Sequence, residues 1–147
     1  MNSQVVCVDA SLGLKLVLAE EDSPLAQKLW AGWIDREVEI VSTHLWAFEV
    51  ASVIRNKVHR AEITPEEGER AFTLIHRQGV RLLYPDGLHQ RAWELAKRFN
   101  RPVAYDAHYL ALAETLGYEF WTADERLYNV VKQELPWVRW LGELAMD

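Results

Sequence analysis

The sequence predicts a single α/β domain: a central, mostly parallel β-sheet flanked by α-helices. Three observations lead there. Short runs rich in β-branched residues alternate with longer helical patterns, no hairpin turn joins two of those runs directly, and helix-start residues follow closely on the strands. With 147 residues the chain can bury one sizeable core, and one domain over residues 1–147 is expected.

Gln4 to Asp9 (Gln-Val-Val-Cys-Val-Asp) suits a buried strand, and Ala10 to Ala19 continues from it as a helix. Ser23-Pro24 marks a second helix start, with Ser as N-cap and Pro at the first helical position, running to about Arg36. Val38 to Ser42 is the next strand, and Thr43 can cap a long helix reaching about Ala61. Thr64-Pro65-Glu66-Glu67 is the clearest start, because Glu67 completes a capping box with Thr64. That helix is expected to stop at Gly79, a residue suited to a left-handed terminus. Val80 to Tyr84 is a third strand, Pro85-Asp86-Gly87 a turn, and Leu88 to Phe99 a helix broken by Asn100-Arg101-Pro102. A helix opening on Asp106 and ending at Gly117, a strand from Tyr118 to Thr122, a helix opening on Asp124 and a short strand from Val138 to Leu141 complete the chain.

Composition narrows the function classes. The chain is 50% hydrophobic and 26% charged, which describes a folded soluble protein rather than a disordered one. No apolar run approaches the roughly 18 to 20 residues of a membrane span. Asp9 and Lys15 interrupt the N-terminal apolar stretch, so no signal peptide is expected. The lone Cys7 cannot form an internal disulfide and points to the cytoplasm. A net charge of −6 excludes a broadly basic nucleic-acid coat but leaves room for a local basic patch. Most of the seven Trp should fill the core, with Trp30, Trp33 and neighbouring Leu29 the candidates for a protein interface.

The acids carry the chemistry. Asp9, Asp106 and Asp124 each stand where a strand or loop hands over to a helix, the edge at which α/β proteins bind ligands. Taken singly, each is also an ordinary N-cap. Glu49 is different. It lies inside a helix beside the apolar stripe Ala47, Val50, Ala51, Ile54 and Val58, on the side shared by Leu45, Ser52, Asn56 and Arg60. It should be half-buried there, and an unpartnered buried carboxylate is costly. If the four acids converge, each pair about 4 Å apart repels by roughly 4 kcal/mol at an effective dielectric near 20. A hard divalent cation relieves this, because Mg²⁺ and Mn²⁺ favour carboxylate and water oxygens. The same segments hold few His and no Cys, which speaks against zinc or copper. Carboxylate-held Mg²⁺ is the usual equipment of phosphodiester hydrolysis.

Four segments together resemble the PIN-domain nucleases, and among them the VapC-like toxins of type II toxin–antitoxin pairs. They are Val8-Asp9-Ala10-Ser11, Phe48-Glu49-Val50-Ala51-Ser52-Val53, Tyr105-Asp106-Ala107-His108-Tyr109-Leu110-Ala111-Leu112-Ala113-Glu114 and Thr122-Ala123-Asp124-Glu125-Arg126-Leu127. The resemblance implies a PIN-like α/β fold and an acidic quartet of Asp9, Glu49, Asp106 and Asp124 holding Mg²⁺ or Mn²⁺. Ser11 and Thr122 match the family's hydroxyl positions, which orient ligands or water. It further implies a metal-dependent endoribonuclease that blocks translation, a homodimer, and a cognate small antitoxin partner. Residues from about Arg60 to Val103 carry no family motif, so they leave substrate choice open.

Other charged residues have two readings. Arg55-Asn56-Lys57-Val58-His59-Arg60 is either a solvated helix end or, through Arg55, Lys57 and Arg60, an RNA phosphate contact; Lys15 is a further candidate of the same kind. His108 reads as a packing residue, Glu114 and Glu125 as solvated or supporting groups, and Glu20-Glu21 with Asp22 as a solvated run. Gly-rich nucleotide loops, GxSxG and CxxC are absent. The rival readings are a catalytically silent PIN-like module, a receiver-like signalling module, which would want adjacent acids after its first strand, and an acid-cluster phosphatase, which would want an Asp where Ser11 stands.

Overall fold

A computed structural model describes residues 4–101 and 104–146. Buried runs form strands β1 (Val5–Val8), β2 (Glu39–Ser42), β3 (Arg81–Leu82), β4 (Glu119–Thr122) and β5 (Val138–Trp140). Between them lie helices α1 (Ala10–Leu14), α2 (Ser23–Asp35), α3 (Leu45–His59), α4 (Pro65–His76), α5 (Leu88–Arg98), α6 (Tyr105–Leu116) and α7 (Glu125–Val131), and a 3-10 helix (Leu141–Met146) follows β5. The sheet order is β3-β2-β1-β4-β5 and every neighbouring pair is parallel. The chain thus steps outward from β1 to β3, returns, and steps outward again from β4. The order reverses between β1 and β4, where open α/β sheets bind ligands beyond the strand carboxyl ends. Val8 pairs with Trp121, which brings Asp9 and Thr122 to that reversal. Receiver domains run 2-1-3-4-5, so the strand order sets the receiver-like alternative aside.

Several helix starts differ from the sequence expectation by a residue or two, for identifiable reasons. Thr64 and Glu67 form the full capping box, with Glu67 N donating to Thr64 Oγ1 at 3.1 Å and Thr64 N donating to Glu67 Oε1 at 2.8 Å. Ser23 does not cap α2; Asp22 holds that position without a side-chain bond. The Ser23 hydroxyl instead donates to Leu18 O at 2.9 Å and accepts from Glu20 N at 3.0 Å. That local bonding competes with helix, and α1 ends at Leu14 rather than Ala19. His44, not Thr43, occupies the cap of α3, although Thr43 Oγ1 still accepts from Leu45 N at 3.1 Å. Most relevant to the site, α6 begins one residue early. Ala104 is its cap and Asp106 falls inside the first turn, so capping does not explain Asp106. The helix ends as expected at Gly117, whose φ of 76° is a conformation that side-chain-bearing residues avoid. Left-handed Asn100 (φ 50°) follows the end of α5; Pro102, the last residue of the expected break, lies outside the described residues.

The tryptophans correct one expectation. Trp30 and Trp33 are 4% and 5% exposed and pack against Trp46 and Trp121 under the sheet, while Leu29 is half-buried. Their size is satisfied by the core, not by an interface. Gly13 allows this: a Cβ there would lie 2.0 Å from the Trp46 ring, so only glycine lets α1 rest on that indole.

Candidate active site

Asp9 is the fixed point of the site. It leaves β1 in extended conformation and caps α1, Leu12 N donating to Oδ1 at 3.1 Å. Ser11 Oγ donates to the same oxygen at 2.7 Å, and Thr122 Oγ1, from the end of β4, donates to Oδ2 at 2.5 Å. Each hydroxyl has one proton, and both protons are committed to Asp9. The 3.2 Å approach of Ser11 Oγ to Thr122 Oγ1 is therefore a packing contact within this arrangement. The hydroxyls' remaining lone pairs accept from the next strand's exit: Ala123 N donates to Ser11 Oγ and Asp124 N to Thr122 Oγ1, each at 3.0 Å. Asp124 itself caps α7, accepting from Leu127 N at 3.2 Å. These bonds join residues more than a hundred positions apart into one closed seam.

Glu49 and Asp106 face that seam from α3 and α6. Burial, and after it the Asp9 charge, push the Glu49 carboxyl up to about 7; the Tyr109 hydroxyl pulls the other way, by more than the small further push of the Asp106 charge. Burial likewise raises Asp9 to about 6, offset in part by its hydroxyl and Leu12 bonds and reinforced by Asp106. Glu49 therefore senses the charges of Asp9 and Asp106, and Asp9 that of Asp106. Tyr109, one helical turn beyond Asp106, lies against Glu49, and burial followed by the Glu49 and Asp9 charges holds its phenol protonated. Neither Tyr109 Oη nor the buried Glu49 Oε1 completes a hydrogen bond of regular geometry. Arg101 Nη2 donates to Asp106 Oδ2 at 2.9 Å, a cation that the sequence reading did not supply.

The four-way meeting at ligating distance does not form. Among the described residues no three His, Cys, Asp or Glu side chains stand close enough to ligate one ion directly. Asp124 is spent on its cap and reaches the others only through Thr122, Asp9 is engaged by two hydroxyls, and Asp106 is paired with Arg101. The donors nevertheless suit Mg²⁺ or Mn²⁺. All are hard oxygens, one buried Glu49 oxygen is unbonded, and Mg²⁺ characteristically keeps several waters while taking only one or two carboxylates. A cleft of about 470 Å³ opens on two of the acids, Glu49 and Asp106, and is lined also by Leu45, Phe48, Ser52 and Tyr105.

The basic candidates separate. Lys15 is bound to Glu20 and, at 2.9 Å, to Asp22, within a run of acids that stays partly exposed. Lys57 pairs with Glu62 at 3.3 Å. Arg55 and Arg60 are exposed and have no ion-pair partner among the described residues. Glu114 takes the supporting role: half-buried, its Oε2 accepts from Arg91 Nη2 at 3.0 Å, tying α5 to α6. His108 packs as expected, buried, its Nδ1 2.7 Å from Ala104 O and its Nε2 3.0 Å from His89 Nδ1.

Sequence reasoning missed Arg101 and Tyr109. Tyr109 had a readable signal, its three-residue spacing from Asp106 on one helix face. Arg101 had none beyond its place in a helix break.

Comparison with known proteins agrees with this geometry. The chain matches the PIN domain over residues 6–133. It is 36% identical over 93 residues to VapC ribonuclease Mb0985 of Mycobacterium bovis, covering 63% of this chain and 71% of that protein. The same identity and coverage relate it to ribonuclease VapC9 of Mycobacterium tuberculosis. A match over most of the chain, together with an all-parallel sheet whose reversal point carries the acids, identifies the protein as a member of the PIN-domain family.

Proposed function

We propose that this PIN domain is a metal-dependent endoribonuclease that hydrolyses RNA phosphodiesters, serving as the toxin of a toxin–antitoxin pair that blocks translation. One observation carries the reading: carboxylates from three separate segments stand near one another, the Asp106 charge raising the proton affinity of Asp9 and Glu49 and the Asp9 charge that of Glu49, while the buried Glu49 Oε1 completes no hydrogen bond of regular geometry. The VapC ribonuclease names of the mycobacterial relatives support it.

In this reading Asp9, Glu49 and Asp106 hold Mg²⁺ or Mn²⁺, with Asp124 contributing through the Thr122 side of the site. The bound ion supplies an activated water and neutralises charge on the phosphate. Ser11 and Thr122 hold the Asp9 carboxylate in one orientation. Tyr109 keeps its proton and offers it towards Glu49. Arg55 and Arg60 are placed to meet RNA phosphates, whereas Lys15 and Lys57 must first leave carboxylate partners. Residues 1–147 act as one domain, since β5, beyond the PIN match, completes the sheet against β4. The protein works in the cytoplasm, as a homodimer restrained by a small antitoxin; no described helix is long and apolar enough to cross a membrane.

The test is cleavage of RNA by the purified chain in Mg²⁺ or Mn²⁺, with and without chelator, beside Asp106→Asn and Asp9→Asn. Metal-dependent cleavage lost in both folded variants is the expected result. Undiminished cleavage by Asp106→Asn defeats the reading.

A further inference from the structure

His89 and His108 take no part in the acidic site. His89 lies in the first turn of α5 and His108 on α6, and their rings meet with His89 Nδ1 3.0 Å from His108 Nε2. The ring planes are tilted by 35°. His108 is buried, whereas His89 is exposed. His108 Nδ1 stands 2.7 Å from Ala104 O, and a carbonyl only accepts, so Nδ1 carries the proton of the neutral ring. Its Nε2 is then a bare lone pair directed at a second imidazole. The backbones on either side are held firmly: Leu88 and Ala92 of α5 and Ala107 and Ala111 of α6 are buried, and the Arg91–Glu114 pair ties the two helices.

We infer that His89 Nδ1 and His108 Nε2 form a two-imidazole site for a divalent transition ion with ligand positions at right angles, Ni²⁺ or Cu²⁺. Nitrogens about 2.0 to 2.1 Å from one ion stand about 2.9 Å apart across a right angle and about 3.3 Å apart across a tetrahedral one. The observed 3.0 Å lies nearer the first, and tetragonal nitrogen and oxygen sites suit Cu²⁺ and Ni²⁺. Ala104 O supplies the support that metal-ligating imidazoles characteristically have, an acceptor for the far ring N–H that fixes tautomer and orientation. Among the described residues no third His, Cys, Asp or Glu joins the pair, so water fills the remaining positions. That separates it from a closed structural zinc centre, which takes four protein ligands. Without the ion, His89 Nδ1 donates its proton to His108 Nε2. On binding, that proton passes through water to His89 Nε2, so both ligating nitrogens present lone pairs and no net proton is lost. The bound ion spans α5 and α6, the helix that carries Asp106, and the site stands whether or not the acids cleave RNA.

The test titrates chelator-stripped protein with Ni²⁺ alone and, separately, with Cu²⁺ alone. Calorimetry should show a single tight Ni²⁺ site in the native chain and in the Glu49→Gln, Asp106→Asn double variant, which lacks two of the acids. His89→Gln removes the exposed ligand yet keeps an amide donor for His108 Nε2. It should leave the Tm of the ion-free protein unchanged, weaken Ni²⁺ binding at least about tenfold, and abolish the rise in Tm that Ni²⁺ brings. Bound Cu²⁺ in the native chain should show paramagnetic-resonance splitting from two imidazole nitrogens, reduced to one in His89→Gln. His108→Gln should show the same losses if it folds; if it does not, His89→Gln decides. Native protein that binds no Ni²⁺ at millimolar ion, or binds it as tightly after His89→Gln, overturns the inference. So does a Ni²⁺ site lost in the acid double variant but kept in His89→Gln, which places the ion on the acids. A fall in ion-free Tm in His89→Gln with Ni²⁺ binding unaltered reduces the pair to a structural hydrogen bond and overturns it equally.

Discussion

The two sides of the acidic pocket are built on opposite principles. On the seam between β1 and β4, Asp9, Ser11, Thr122 and the Asp124 backbone satisfy one another, each hydroxyl donating once and accepting once. On the facing wall, Glu49 Oε1 and Tyr109 Oη, buried side by side, complete no hydrogen bond of regular geometry, Arg101 Nε is buried without a partner, and Phe48 and Tyr105 stand in water. Buried polar groups in native proteins are nearly always bonded. A cluster of exceptions on one side only separates the part that the fold finishes for itself from the part left for a ligand.

Substitutions should divide along that line. The largest expected effect is at the wall: Glu49→Gln should reduce RNA cleavage to background. It should also stabilise the metal-free protein at neutral pH by up to about 1 kcal/mol, after discounting for partial exposure, because a raised-pKa carboxylate is removed. Activity and urea unfolding, measured together, check the opposite signs.

The pH dependence follows from the same groups. Asp9 and Glu49 have folded-state values near 6 and 7, above their ordinary values of 3.8 and 4.5, so the fold favours their neutral forms. Metal-free protein should be most stable below about pH 4 with respect to these groups and lose stability as pH rises through 6 to 7. Asp9 alone should account for on the order of 2 to 3 kcal/mol. Thermal unfolding in chelator from pH 4.5 to 8 should show this decline, and saturating Mg²⁺ should flatten it at the upper end.

At the seam, Thr122→Ala strips Asp9 Oδ2 of its donor and Asp124 N of its acceptor. It should cost about 2 kcal/mol in urea unfolding, whereas Ser52→Ala at the wall should stay within about 0.5 kcal/mol. Thr122→Ser should recover most of the loss. If both alanine variants unfold alike, the division between seam and wall is wrong. Smaller still, Arg101→Gln should change stability by less than about 1 kcal/mol, as its ion pair with Asp106 is partly exposed. It should tighten Mn²⁺ binding in calorimetry, since no guanidinium then competes for the Asp106 oxygen. The smallest effect is expected of Arg55→Gln, about a twofold loss of RNA affinity with a salt dependence reduced by roughly one phosphate contact.

The seam was the more legible side in sequence because its partners are local. Asp9 and Asp124 each bond a backbone N–H three residues ahead, a relation that sequence spacing contains. The Thr64–Glu67 box and the Gly117 stop were readable for the same reason. Glu49 was legible by contrast, as a charge embedded in an apolar helix. What escaped depends on neighbours distant in the chain or on a one-residue shift of frame. Trp30 and Trp33 look like interface residues until Trp46 and Trp121 arrive from elsewhere. Asp106 looks like a cap until α6 starts at Tyr105 and turns its carboxylate towards Arg101. The common length scale of these errors is tertiary: no local pattern records which side chain will close a pocket.

On the proposed mechanism a hard cation relieves the charge that Asp9 and Asp106 impose on Glu49. Thermal unfolding of chelator-treated protein near pH 7.5, titrated with Mg²⁺ and then Mn²⁺, tests it most directly. The expected result is a saturable rise in Tm for the native chain that is lost in the Glu49→Gln, Asp106→Asn double variant. A native Tm indifferent to both ions, or an equal rise in the double variant, would contradict it.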